Sequence, residues 1–179
     1  MITGFQLRVA KAVLKLTAKQ IAEAIHVHQG TIIRLGFTKN LEYLRCNAKN
    51  LILLKKFFEL QCILFPDDNT VSLNTTITHV PITNQLTRFQ LKSARIATGL
   101  TQKELSSCIK QVSSSTISLL EQLKNIEYID STKINISLLK KYFECLGIVF
   151  PNDLSVSLIR DPQILSKKTK IILDAKKNN

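Results

Sequence analysis

Apolar positions along this chain follow a pattern that occurs twice. In Leu16 to Leu35 (LTAKQIAEAIHVHQGTIIRL), Ile21, Ala24 and Ile25 fall at helical spacing and define one apolar face. Past a turn at His26, Thr31, Ile32 and Leu35 define a second face that meets the first. His28, Gln29, Ile33 and Arg34 are left pointing away. Leu100 to Leu120 (LTQKELSSCIKQVSSSTISLL) repeats the arrangement, with Leu105, Cys108 and Ile109 as the first face and Ile117 and Leu120 on the second. Thr17 with Gln20, and Thr101 with Glu104, have the spacing of a capping box that opens a helix. Two short helices joined by a tight turn are expected in each copy.

The repeat is longer than this pair. Residues 3–26 align with 87–110, and 27–73 align with 112–158 at an offset one larger. Roughly two in five aligned positions are identical, which marks a tandem duplication. FQLRVAKAVLKL and FQLKSARIATGL predict an opening helix, with Phe5, Val9, Ala12 and Val13 on one face, and Phe89, Ser93, Ile96 and Ala97 in the second copy. LILLKKFFELQ and ISLLKKYFECL predict a fourth helix, capped by Asn50 and Asn135. CILFPDDNTVSL and GIVFPNDLSVSL each read as a β-hairpin turning at proline. An isolated two-stranded ribbon is marginal in water, so the hairpins are expected to pair with each other or with a second chain. The expected layout is copy 1 over 1–75, a β-rich link over 76–85, copy 2 over 86–159 and a basic tail over 160–179, which reads as a frayed terminus or as a phosphate-grasping arm, its apolar residues allowing a short but poorly capped amphipathic helix.

The paired short helices resemble the Cro/Xre repressor-type helix-turn-helix family, whose motif runs Leu-Ser/Thr-Gln-x-Glu-Leu-Ala, a turn, then Val-Ser-x-x-Thr-Ile-Ser-x-Ile-Glu. Copy 1 carries Leu16, Thr17, Ile21, Ala22, Val27, Thr31, Ile32 and Leu35 of it. Copy 2 carries Leu100, Thr101, Gln102, Glu104, Leu105, Val112, Ser113, Thr116, Ile117, Ser118, Leu120 and Glu121. Copy 1 departs from the pattern at Ala18, where the family has a phosphate-binding Gln, and at Gly36, where a Glu ends the helix. Copy 2 has one extra residue in its turn, Lys110-Gln111. The resemblance implies a mainly α protein: two tandem lambda-repressor-like helix-turn-helix domains, each followed by a β-hairpin, as in one subgroup of the family. It also implies a sequence-specific, repressor-like transcriptional regulator of bacterial or phage type that binds double-stranded DNA. Its recognition helices would lie near 28–36 and 113–121 in the major groove.

Charge agrees with a polyanionic partner. The net charge is +12 over 179 residues, and the last twenty hold six basic and two acidic residues. No apolar run approaches the ~20 residues of a membrane span, and Leu51 to Phe65 is interrupted by Lys55-Lys56. The N-terminus lacks a basic-then-apolar signal, so a cytoplasmic, nucleoid-associated protein is expected without membrane contact. Cys46, Cys62, Cys108 and Cys145 show no metal-ligand spacing and are expected to be reduced and mostly buried. His26 and His28 are not at a ligand spacing, and neither a metal nor a cofactor is expected.

By the family register, base edges would be met by Gln29, Gly30 and Arg34, with His28 at the helix start, and in copy 2 by Ser114, Ser115 and Leu119. Gln pairs bidentately with adenine and Arg with guanine, whereas serine discriminates poorly and Leu119 offers only contact with a thymine methyl. Phosphate contacts are expected from Thr17, Lys19, Lys39, Thr101, Gln102, Lys103, Ser113 and Lys124, which position the protein without specifying sequence. The +12 chain would act as a homodimer through its hairpins or as a pseudo-dimer within one chain. An alternative is a protein-interaction module, of antitoxin or anti-repressor type, that retains the fold. RNA binding is disfavoured by an aromatic content of 6%. An enzyme is not expected, because no nucleophile and base, paired carboxylates or Gly-rich phosphate loop converge.

Overall fold

Thr3 and Gln6 satisfy each other's backbone at the start of the first helix. The Thr3 hydroxyl accepts from the Gln6 amide at 3.4 Å, and Gln6 Oε1 accepts from the Thr3 amide at 2.9 Å. This closes the capping box of α1 (Gly4–Val13), and Thr87 with Gln90 does the same for α5 (Arg88–Ala97). A computed structural model describes residues 1–75, 85–109 and 112–161. Copy 1 continues with α2 (Ala18–Ala24), α3 (Gln29–Gly36), α4 (Ala48–Leu60), β1 (Ile63–Leu64) and β2 (Thr70–Leu73). Copy 2 continues with α6 (Gln102–Ile109), α7 (Ser114–Leu120), α8 (Ile136–Cys145), β3 (Ile148–Val149) and β4 (Ser155–Leu158). The described residues are thus mainly α, with one small antiparallel sheet. Expectations for the link over 76–84, the turn at 110–111 and the tail from 162 onward lie outside the described residues.

Both hairpins form, and they pair with each other. The sheet order is β1-β2-β4-β3, with Val71 opposite Val156 and Thr70 and Ser72 opposite Ser157 and Ser155. Val71 and Val156 are equivalent positions of the repeat, so the contact is self-complementary and an approximate two-fold axis runs through that pair. The hydroxyl pairs Thr70–Ser157 and Ser72–Ser155 each sit 2.7 Å apart and satisfy one another where water is excluded. Helices α1 and α5 pack on each other about the same axis. One continuous apolar core, including Phe5, Phe58, Phe89 and Phe143, runs through both copies.

That packing corrects the single apolar face expected for α1. Gly4, Phe5, Gln6, Leu7, Val9, Ala10 and Val13 are all buried, because the helix has its own copy on one side and α5 on the other. Buried Gln6 uses its amide to hold the hairpin turn, donating to the carbonyls of Asp67 at 2.6 Å and Thr70 at 3.0 Å. Gln90 reaches the Asn152 carbonyl at 2.8 Å in the same way. Three further expectations are corrected. Helix α4 starts earlier than expected, capped by Asn47, whose Oδ1 accepts from the Asn50 amide at 2.8 Å, whereas Asn135 does cap α8. Ala24 and Cys108 are exposed, each lying near the end of a short helix. Cys62 and Cys145 are exposed as well, and Cys46 is half-buried, so the thiols are not the buried set expected.

Candidate nucleic-acid interface

In copy 1 the turn after α2 is made at His26, whose φ of 55° lies in the left-handed region. His28 then caps α3, its Nδ1 accepting from the Gly30 amide at 3.1 Å. Ile32 and Leu35 anchor α3 against α2, while Gln29, Gly30 and Arg34 are exposed. The side chains of Gln29 and Arg34 make no hydrogen bond or ion pair among the described residues. Arg34 lies close enough to Cys46 to oppose the burial that pushes that thiol's pKa up.

Copy 2 presents different chemistry at the same places. Ser113 caps α7, accepting from the Thr116 amide at 3.1 Å, and its hydroxyl also meets those of Ser115 and Thr116 at 2.7 and 2.9 Å. Its hydroxyls are therefore largely tied to one another. Ser114 is exposed, and Leu119, at the position of Arg34, is 64% exposed. The first copy shows apolar surface of its own: Ile33 is 45% exposed and Phe37, just past α3, is 82% exposed. Phe37 and Arg45 line a shallow depression of about 260 Å³ with Arg34. Neither was singled out by the motif, because Phe37 aligns with Gln122 and Arg45 with Asp130, so the repeat gives them no matching partner.

The expected phosphate contacts are distributed unevenly. Lys19, Lys39, Lys103 and Lys124 are exposed, and Lys19 and Lys39 lie 3.9 and 3.5 Å from Glu23 and Glu42. The Thr17 and Thr101 hydroxyls accept from the amides of Gln20 and Glu104 at 3.2 and 3.1 Å. The Thr101 amide and hydroxyl in turn hold the Glu104 carboxyl below the usual carboxylate range. Gln102 is half-buried and turned inward, donating to Glu121 Oε2 at 3.1 Å.

Glu121 is the centre of a buried polar cluster beneath α7. Its carboxylate takes a two-pronged contact from Arg95, at 2.5 and 2.7 Å, and Arg95 also donates to the Leu100 carbonyl at 2.8 Å. In copy 1 the equivalent positions are Lys11 and Gly36, and no such pair exists. A second support is shared by both copies but built differently. In copy 1, Arg8 donates to the carbonyls of Gly36 and Thr38 and to Asn40 Oδ1. In copy 2, Arg88 donates to the equivalent acceptors, the Glu121 carbonyl and Asn125 Oδ1. Arg8 and Arg88 are not equivalent; Arg88 aligns with Gly4, one helical turn earlier. Burial pulls down the pKa of both guanidinium groups.

Among the described residues there is no group of three or more His, Cys, Asp or Glu placed to hold a metal, and no helix is long and apolar enough to cross a membrane. Compared with known proteins, the chain matches no family model, no curated protein and no solved structure.

Proposed function

We propose that the protein is a sequence-specific, double-stranded-DNA-binding transcriptional regulator, repressor-like in action, made of two lambda-repressor-like helix-turn-helix units. The single observation that carries this reading is the two-fold pairing of the copies, which holds two exposed short helices, α3 and α7, in related positions on one body. Duplex DNA has local two-fold symmetry, so two such helices can enter successive major grooves about one helical turn (~34 Å) apart. The +12 net charge supplies the sequence-independent attraction to phosphate. Arg34 and Gln29, whose side chains make no hydrogen bond among the described residues, have the donor groups for guanine and adenine edges.

A second reading, docking of a protein partner on copy 2, is favoured by exposed Leu119. It borders a cavity of about 650 Å³ also lined by Leu123 and Tyr128.

Affinity for a mixed-sequence duplex measured against salt tests the first reading. Binding that weakens linearly in log–log form, with one salt-slope unit lost for about each exposed Lys→Ala change at Lys19 or Lys39, is the expected result. Affinity indifferent to salt would sink it.

A further inference from the structure

We propose that one chain reads a non-palindromic duplex in a single orientation, with two unlike half-sites and one chain per site. This rests on the DNA-binding reading above and goes beyond it to the kind of sequence recognised. Three observations carry it. The self-complementary surfaces that would join two subunits are joined within the chain: β2 and β4 each have a strand on both sides, so neither offers an unpaired edge. The two sides of this joint are also chemically unlike. The Asn40 amide donates to the Ala97 carbonyl at 3.2 Å on one side. On the other side Arg88 donates to the equivalent Val13 carbonyl at 3.4 Å. Copy 1 carries Gly4 at the Arg88 position, and a Cβ there would sit 2.3 and 2.4 Å from the carbonyl oxygens of Thr38 and Lys39. Each side of the joint is thus closed by a different donor, Asn40 from copy 1 and Arg88 from copy 2, so the pairing within the chain is satisfied but not symmetric.

The reading faces differ in the third place. Arg34 is a bidentate donor suited to guanine, and Leu119 at the same position has no polar atom and suits the methyl of thymine. Ser115 is bound to the Ser113 hydroxyl, which further removes polar readout from copy 2. A rigid pair of unlike helices meets a palindrome correctly on one half only, and an asymmetric site on both.

The test is selection of the full-length chain against a random duplex library, followed by sedimentation of the chain on the recovered site. Expected are two dissimilar half-sites, one holding a guanine and the other rich in A·T pairs, with one chain per duplex. Arg34→Ala should relax preference at the guanine by roughly tenfold or more and leave the other half unchanged, and Leu119→Ala should do the reverse more weakly. A palindromic consensus, or two chains per site, overturns the inference and leaves DNA binding intact. Recovery of no motif at all, with affinity at the non-specific ~10⁻⁴–10⁻⁶ M level, removes the DNA reading and this inference together.

Discussion

Two copies of one ancestral unit hold the ends of their outer helices by the same means, reached by different routes. Arg8 and Arg88 deliver a guanidinium to equivalent acceptors from positions a turn apart, and only copy 2 adds the Arg95–Glu121 pair. Divergence has therefore preserved a location for charge and released the residue that supplies it. The lesson is that the acceptors were the constraint. The end of each outer helix leaves carbonyls without intrahelical partners, and something must donate to them. Position along α1 or α5 matters less, because a long Arg can reach the same slot from two adjacent turns.

The largest expected effect breaks the comparison at one aligned position. Glu121→Ala strands the buried Arg95 guanidinium and should destabilise by about 3–5 kcal/mol in urea unfolding. Gly36→Ala, the same position in copy 1, has nothing within 4 Å of the new Cβ. It should leave stability unchanged or raise it by up to ~1 kcal/mol. Equal losses at the two positions would show that the cost at Glu121 does not come from the stranded Arg95 guanidinium.

Next in size is Gly4→Ala. Its Cβ would meet backbone oxygens at 2.3 and 2.4 Å, which side-chain rotation cannot relieve. A loss of about 1–3 kcal/mol is expected by the same unfolding measurement, the range for overpacked sites. No loss would mean that the connector after α3 is free to move aside.

The smallest effect concerns Lys92, which stands where copy 1 has Arg8. Burial, with Arg88 as the next cause, lowers its pKa to about 8 from an ordinary 10.5. Between these values the unfolded chain binds the extra proton, so stability should rise as pH climbs through this window, before Tyr142 acts. The Tyr142 phenol has its pKa raised above its ordinary 10.0 by burial and by its contact with Cys108, and it opposes the trend at higher pH. In thermal melts, Lys92→Met should be more stable than the parent below pH 8, with the difference shrinking above it. A pH-independent difference would place Lys92 in solvent.

Much of the architecture was legible because the duplication presented each signal twice. The capping residues Thr17, Thr101 and Asn135, the apolar anchors Ile32, Leu35, Ile117 and Leu120, and both hairpins follow from local spacing. What was not legible depends on contacts distant in sequence. Burial of Gln6, Arg88 and Arg95 comes from α1 meeting α5, and no periodicity within one helix announces a second neighbour. The Asn47 cap was missed because alignment to Asn135 pointed to Asn50, although the two fourth helices begin three positions apart. At the candidate interface, the outward set around Gln29 and Arg34 could be read from the helical pattern. The mutual binding of Ser113 and Ser115 could not, since both are simply polar in sequence.

Thr70 touches Ser157 across 87 residues of chain, and that distance sets an order of events during synthesis. Copy 1 leaves the ribosome long before β4 exists, so β2 must wait with one edge unpaired. A nascent chain stopped within copy 2 would display that edge as a template for any other strand. Completion of the protein is therefore also the step that covers this edge.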